Sequence, residues 1–378
     1  MKVLLYTIEM VKGVERLMPW RVLIEVAKLA SMEIEIAICS AQVPEEVREY
    51  EGVKIYSIDY GIVAFRQFVI DGEWDVVYYP ITYRQGLKNM SGLTTIPARK
   101  IAYIPGGLCP LSGSMKLIQM GEVKRALPYL LDTVTPHNFI VKKLFDAGFE
   151  SIVCQTPLTS EDAARSGWNK VVTALPGNIP NSNLDAFDES YYEKLGLKKQ
   201  KFVLFSGAPA PTRGSILAMK AFDKAADRLS DMKMVMLMRR DVSSDFIAFD
   251  KAVSEIKHKD RFIISYDRIP PNQLFCFFRK AWVVMLPFLV VPSEIPLTYF
   301  EVMQWGTPVL TFENGGTTDY LRKGLKIAKH RTVSSFAEAI VEICRNTEER
   351  NRLSKNAKAI MSNHPSWNET SKKWLSVL

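Results

Sequence analysis

The stretch Lys201–Met238, KFVLFSGAPAPTRGSILAMKAFDKAADRLSDMKMVMLM, contains one complete unit of an α/β repeat. Lys201–Ser206 reads as a short strand that ends at Gly207. Gly214–Leu229 carries the spacing of a helix, and Met234–Met238 is again a short apolar run. Strand, helix and strand in that order and at those lengths predict a parallel βαβ unit.

The same alternation extends both ways. Toward the C-terminus come a helix over Ser243–Ile256, a strand at Arg261–Ser265, a helix over Asn272–Lys280 and a strand at Trp282–Leu286. A helix over Pro296–Trp305 and a strand at Pro308–Thr311 follow, with three helices in much of the remainder. Toward the N-terminus, strands are expected at Lys2–Thr7, Glu33–Cys39, Val53–Ile58, Asp75–Tyr79, Lys100–Ile104, Ile152–Gln155 and Lys170–Ala174. Helices lie between them over Pro19–Ala30, Ile62–Ile70, Arg84–Met90, Met115–Leu131 and Pro136–Ala147. Leu175–Pro180, LPGNIP, has the composition of a linker. The expectation is two doubly wound parallel sheets in series, residues 1–178 and 179–365, with ligands in the cleft outside the carboxyl ends of the strands.

Composition is consistent with that class. The chain has 378 residues, 47% hydrophobic and 24% charged, as an ordinary globular protein does. No run of about eighteen apolar residues suggests a membrane span. The opening MKVLLYTIEM has too short an apolar run, followed by an acid, to read as a signal peptide. Five scattered cysteines fit neither a disulfide framework nor a zinc site, which points to a reducing cytoplasm. The net charge of +8 is uneven: residues 1–178 hold 19 basic and 19 acidic side chains, residues 179–378 hold 30 and 22. A basic second half suits a phosphate-bearing ligand. The sequence has no basic helix, zinc-finger spacing or aromatic RNA-binding signature, so no nucleic-acid partner is expected.

The densest chemistry is at Pro292–Val309, PSEIPLTYFEVMQWGTPV. Glu294 falls in a loop after a strand, Pro296 suits a first helical turn, and Glu301 follows on the helix. Backbone N–H groups near Leu297 and Thr298 at such a helix start suit a diphosphate. By themselves these residues read first as an amphipathic helix with Glu301 as a solvated face residue.

This segment resembles the donor-site signature of family 4 glycosyltransferases, retaining enzymes of the GT-B fold. There a Glu, a seven-residue spacer and a second Glu run into a helix and a G-T-P-V segment, matched here by Gly306-Thr307-Pro308-Val309. The resemblance implies that Glu294 faces the donor sugar and Glu301 holds the nucleotide ribose. Only six residues separate the two here, which shifts the first carboxylate relative to the helix. In Phe202–Lys220 the family places a Gly after the strand, then an Arg and a Lys that clamp the diphosphate. Gly207 fits the turn, and Arg213-Gly214 takes the Lys-Gly position, with bidentate capacity retained. The earlier Arg is Ala208 here, and Arg239 or Arg240 is the nearest substitute by topology. Backbone groups around Arg268 and Ile269 correspond to the stretch that shapes the base pocket. Lys12-Gly13-Val14 sits where the family has a glycine-rich loop, while the histidine that many members carry after the Lys100–Ile104 strand is missing. His137, at a helix start, reads as a surface or capping residue. Ser366-Trp367-Asn368-Glu369 and the helix that runs to Leu378 resemble the family's final helix, which packs back on the N-terminal domain through Trp367, Trp374 and Leu375.

The resemblance implies a two-domain Rossmann-like GT-B enzyme. It would move a sugar, with retention, from a UDP- or GDP-linked donor to a glycan or lipid-linked acceptor. Glu294 and Arg213 are the catalytic candidates. Neither a metal nor another cofactor is expected. Two alternatives stand beside this reading: a nucleotide-sugar epimerase on the same fold, and a catalytically weak nucleotide-binding or partner protein. Met115–Leu131 mixes Lys116, Lys124 and Arg125 with apolar residues, and the expectation is weak, salt-sensitive, peripheral membrane contact.

Overall fold

The structure is a computed structural model that describes residues 1–7, 10, 20–81, 90–106, 110–178, 188–239, 245–291 and 293–378. The expected helix over Arg84–Met90 therefore lies largely outside the described residues, as do Gly13 and Arg240.

The N-terminal sheet holds β1 (Lys2–Thr7), β2 (Glu35–Ala41), β3 (Glu49–Tyr50), β4 (Val53–Ile58), β5 (Val76–Pro80), β6 (Arg99–Tyr103), β7 (Phe149–Cys154) and β8 (Val171–Thr173). Their spatial order is β3-β4-β2-β1-β5-β6-β7-β8. The C-terminal sheet holds β9 (Lys201–Gly207), β10 (Met232–Met238), β11 (Phe262–Ser265), β12 (Val283–Leu286), β13 (Val309–Thr311) and β14 (Leu325–Ile327), in the order β11-β10-β9-β12-β13-β14. Every pairing is parallel except that of β3 with β4. The strands are continuous apolar runs because helices cover both faces: β1, β9 and β10 are buried at nearly every position. Each sheet reverses its winding beside its first strand, between β1 and β5 and between β9 and β12. A doubly wound sheet opens a crevice at those points.

Several boundaries differ from the sequence expectation. The helix expected over Gly214–Leu229 is Ser215–Ala225, followed by a tighter turn at Ala226–Arg228. Pro296–Trp305 contracts to Leu297–Met303. Met115–Leu131 is two helices, Leu111–Gln119 and Val123–Val134. The break falls at Gly121, whose φ of 82° is left-handed, while Pro128 sits inside the second helix. The region beyond Thr311 contains the strand Leu325–Ile327 and helices at Gly316–Leu321, Val333–Arg345, Thr347–Ser362 and Trp367–Leu375.

The chain crosses between the domains twice, and the two crossings lie side by side. The Asn178 N–H donates to Pro365 O at 2.9 Å, and His364 Nε2 lies 2.6 Å from Pro176 O. Ser366 opens the last helix with a reciprocal cap to Glu369. That helix then lies on the N-terminal sheet. Trp374 is fully buried with its ring 5.5 Å from Tyr78 and 5.4 Å from Tyr103, and the Tyr78 hydroxyl donates to Trp374 O at 2.5 Å. Trp367 is buried as well, and Leu375 half-buried.

Candidate functional site

The site grows from the switch point of the C-terminal sheet. β9 ends at Gly207, followed by buried Ala208 and the turn Pro211–Arg213. Gly214 closes this turn at φ 69°, and a Cβ there would lie 2.2 Å from the carbonyl oxygen of Pro287. Both its backbone angle and the lack of space demand glycine. The close approach is fixed by Leu289 N–H, which donates to Thr212 O at 2.9 Å. The Arg213 turn is thereby clamped to the loop after β12, and its guanidinium sits 5.3 Å from the Phe288 ring centroid.

Arg239 follows the neighbouring strand β10, and its N–H donates to Gly207 O at 3.1 Å. Burial lowers the Arg213 pKa to about 10, and the Arg239 charge adds to the depression. Glu301, on the helix Leu297–Met303, is half-buried; burial raises its carboxyl to about 7, and Arg239 opposes the rise. Arg239 thus acts electrostatically on both Arg213 and Glu301 at the carboxyl ends of β9, β10 and β12. Two guanidinium groups close enough to depress one another's charged form suit a ligand that carries two negative charges.

Glu294 points elsewhere. It is 2% exposed and reaches the N-terminal domain: Oε2 accepts the Gln155 N–H at 2.8 Å, and Oε1 accepts the Thr156 hydroxyl at 2.9 Å. Burial pushes its carboxyl up to about 7 against these donors, which favour the charged form. Pro296 occupies the N-cap of the helix Leu297–Met303, Leu297 is buried and Thr298 half-buried. Arg268 is exposed and Ile269 half-buried in the loop beyond β11, at the sheet edge. The structure therefore gathers Gly207, Arg213, Arg239 and Glu301, with Pro296, Leu297 and Thr298 beginning the helix that carries Glu301. Arg268 and Ile269 occupy the far end of the same strand-end face.

Sequence reasoning missed Gln155, Thr156, Thr317 and Asn314. Thr317 donates to Glu294 O at 2.5 Å, and buried Asn314 Nδ2 donates to Phe288 O and Phe312 O at 3.3 and 2.9 Å. Thr156 carried one local signal, a Thr-Pro pair at a helix start. Nothing local announced a partner 138 residues away. His137 begins a helix and pairs through Nδ1 with Asp162 at 2.9 Å, a tie between two helices.

Solved structures of several proteins superpose on the whole chain. Those from Rickettsia africae ESF-5, a glycosyltransferase, and from Thermosynechococcus elongatus, a sucrose-phosphate synthase, give TM-scores of 0.71 and 0.72 at 13% identity each, cover 100% of this chain, and are covered to 97% and 98%. Anabaena Alr3699/HepE, solved with UDP and glucose, gives 0.70 at 13% identity with full coverage of both chains.

The fold is GT-B. Within this GT-B chain, residues 188–360 match the family model described as Glycosyl transferases group 1. A segment of 184 residues is 26% identical to YtcC of Bacillus subtilis (strain 168), which carries the name of a glycosyltransferase. That match covers 46% of this chain and 44% of the relative, so the chain spans about half the length of the curated relative it matches.

Proposed function

We propose that the chain transfers a sugar from a nucleoside-diphosphate sugar to an acceptor. The observation that carries this reading is the Arg213–Arg239–Glu301 group at the switch point of the domain that matches the glycosyltransferase model. When the sugar–diphosphate bond breaks, charge grows on the leaving diphosphate. Arg213 and Arg239, fixed beforehand and partly desolvated, would stabilise that charge without reorganising and without a protein-held metal. Glu301 would accept hydrogen bonds from the ribose hydroxyls. Retention, UDP as the carrier and a glycan or lipid-linked acceptor belong to the same proposal; the UDP choice is supported by the UDP complexes of HepE.

Membrane contact of the acceptor-side domain is part of the proposal. Val123, Leu127, Leu131 and Val134 form an exposed apolar stripe along one helix face, with Lys124, Lys142 and Lys143 exposed nearby. Among the described residues no helix is long and apolar enough to cross a membrane.

The weak-catalyst alternative gains one observation: both Glu294 oxygens are bonded to the N-terminal domain. The deciding experiment is a thermal-shift screen against UDP, GDP, ADP and their sugars, followed by sugar transfer with the nucleotide sugar that stabilises. Stabilisation with transfer to an acceptor supports the proposal. Stabilisation without turnover on any acceptor favours the weak catalyst, and interconversion of the donor sugar alone favours an epimerase.

A further inference from the structure

A carboxylate that is 2% exposed normally has a cation beside it. The bonds Glu294 makes are to Gln155 N–H and Thr156 Oγ1, with the Thr159 hydroxyl adding support, and all three donors belong to the other domain. Among the described residues its own domain holds only its backbone, through Thr317 Oγ1 on Glu294 O; Glu294 N–H leans toward Pro105 O, again across the cleft, at 3.4 Å. Segments after β6, β7, β12 and β13 therefore meet at this one residue, those after β7 on its side chain and those after β6 and β13 on its backbone.

The packing around it is equally tight. Gly316 opens the helix Gly316–Leu321, and a Cβ there would lie 2.3 Å from Thr156 Oγ1. Gly113, on the N-terminal helix Leu111–Gln119, approaches Leu289 so closely that a Cβ would lie 2.0 Å from its carbonyl oxygen. Two backbone approaches across the cleft and one buried carboxylate make a contact that exists only while the domains are together. The paired crossings at Pro176–Asn178 and His364–Ser366 are the natural hinge for separating them.

We infer that Glu294 is a latch that holds the two domains closed through Gln155 and Thr156, and is not a group presented to the donor sugar. On opening, Glu294 exchanges its donors for water. Thr156 keeps a role in both states, because its hydroxyl also accepts the Thr159 N–H as the cap of the helix Pro157–Arg165. The N-terminal domain therefore loses little local structure, and the equilibrium turns on the hydrogen bonds of the Glu294 side chain. This inference does not depend on which nucleotide the cleft takes.

The test is small-angle X-ray scattering of the whole chain without nucleotide, with circular dichroism to establish that each variant is folded. A compact chain of this length has a radius of gyration of roughly 21 Å. Glu294→Ala and Thr156→Val each raise it, with the open fraction increased about tenfold or more, as loss of a charged hydrogen bond gives. The double variant opens no further than Glu294→Ala, because the two side chains share one interaction. Thr156→Ser, which keeps the hydroxyl, stays compact. So does Glu294→Gln, whose carbonyl accepts from Gln155 and whose amide donates to Thr156. Gly316→Ala, a wedge at the same contact, opens the chain with the carboxylate intact. Should Glu294→Ala not fold, Thr156→Val and Gly316→Ala decide. A folded Glu294→Ala with unchanged scattering overturns the latch, as does a Thr156→Ser variant that opens as far as Thr156→Val.

Discussion

Replacing Arg239 by Gln separates a diphosphate receptor from a structural cation. Arg213 is depressed to about 10, chiefly by burial and then by the Arg239 charge, which corresponds to on the order of 3 kcal/mol working against its charged form. That load persists while the site is empty and is relieved when a dianion binds between the two guanidinium groups. Removing Arg239 eliminates its charged hydrogen bonds to the ligand, about 1.5–3 kcal/mol, a loss of roughly 10- to 150-fold in affinity. For the empty protein two terms oppose each other. Arg213 loses a repulsive neighbour, while Glu301 loses the charge that offsets its burial. Near-cancellation leaves the melting temperature within about 3 °C of the parent, since 1 kcal/mol is worth roughly 2–4 °C in domains of this size.

The assay is titration calorimetry with UDP and with uridine on Arg239→Gln and Arg213→Gln, beside thermal melts of the empty proteins. Both variants should lose UDP affinity in that range and keep uridine affinity within about a factor of two, because the nucleoside carries no charge for a guanidinium to meet. Equal losses for UDP and uridine refute the diphosphate role. A fall of ten degrees or more in the empty Arg239→Gln protein refutes the near-cancellation and makes Arg239 a structural residue.

Glu301→Gln should weaken nucleotide-sugar binding by about 1.5–3 kcal/mol, and the parent should show a pH dependence that the variant lacks. The free carboxyl has a pKa of about 7, so ionising it to accept ribose hydroxyls releases a proton, and affinity should climb about tenfold from pH 6 to 8; a flat parent profile would sink the ribose role. His258 lies between Asp223 and Asp227 at 3.0 and 2.8 Å, and these hydrogen bonds raise its pKa. Its contribution is complete below the unfolded value near 6.5 and is lost as pH rises through the raised folded value. The gap in melting temperature between the parent and His258→Gln should therefore shrink from pH 6 to 9, and a constant gap would count against it. Anionic vesicles should float the protein at low salt and release it at high salt, at roughly 1 kcal/mol per basic residue near the surface. Val123→Glu with Leu127→Glu should abolish flotation; binding that survives high salt, or none at low salt, refutes the weak contact.

How much was legible in the sequence depended on how local the cause was. The strand at Lys2–Thr7 coincides with its expected limits because a buried parallel strand is a continuous apolar run between polar ends. The Arg213 turn was reached through the family resemblance at Gly207 and Arg213-Gly214, and the structure supplies the local reason at Gly214, whose φ of 69° and contact with Pro287 O demand glycine. Glu49–Tyr50 and Leu325–Ile327 are two and three residues long, too short to establish a period. The break at Gly121 interrupts no apolar period that the sequence displays, and Pro128, a residue that ordinarily ends helices, is half-buried inside the second helix. The environment of Glu294 could not be read at all, because its partners lie in another domain and two of its contacts are to the backbone.

The basic excess of the second half pointed to a phosphate ligand for a reason the structure replaces with a better one. Many cations of that half are neutralised on the outer surface: Arg228 by Glu338, Lys201 by Asp231, Lys257 by Asp227, Lys280 by Glu189. Such exposed pairs exert little field at a distance in physiological salt. What distinguishes Arg213 and Arg239 is placement. They sit on adjacent strand ends, partly withdrawn from water, with the protein's own carboxylate kept near half-protonated beside them. Two guanidinium groups that repel one another in a partly desolvated site attract a diphosphate more strongly than eight net charges spread over a solvated surface. Neutralising the exposed pairs should therefore leave nucleotide affinity unchanged, whereas neither Arg213 nor Arg239 should be dispensable.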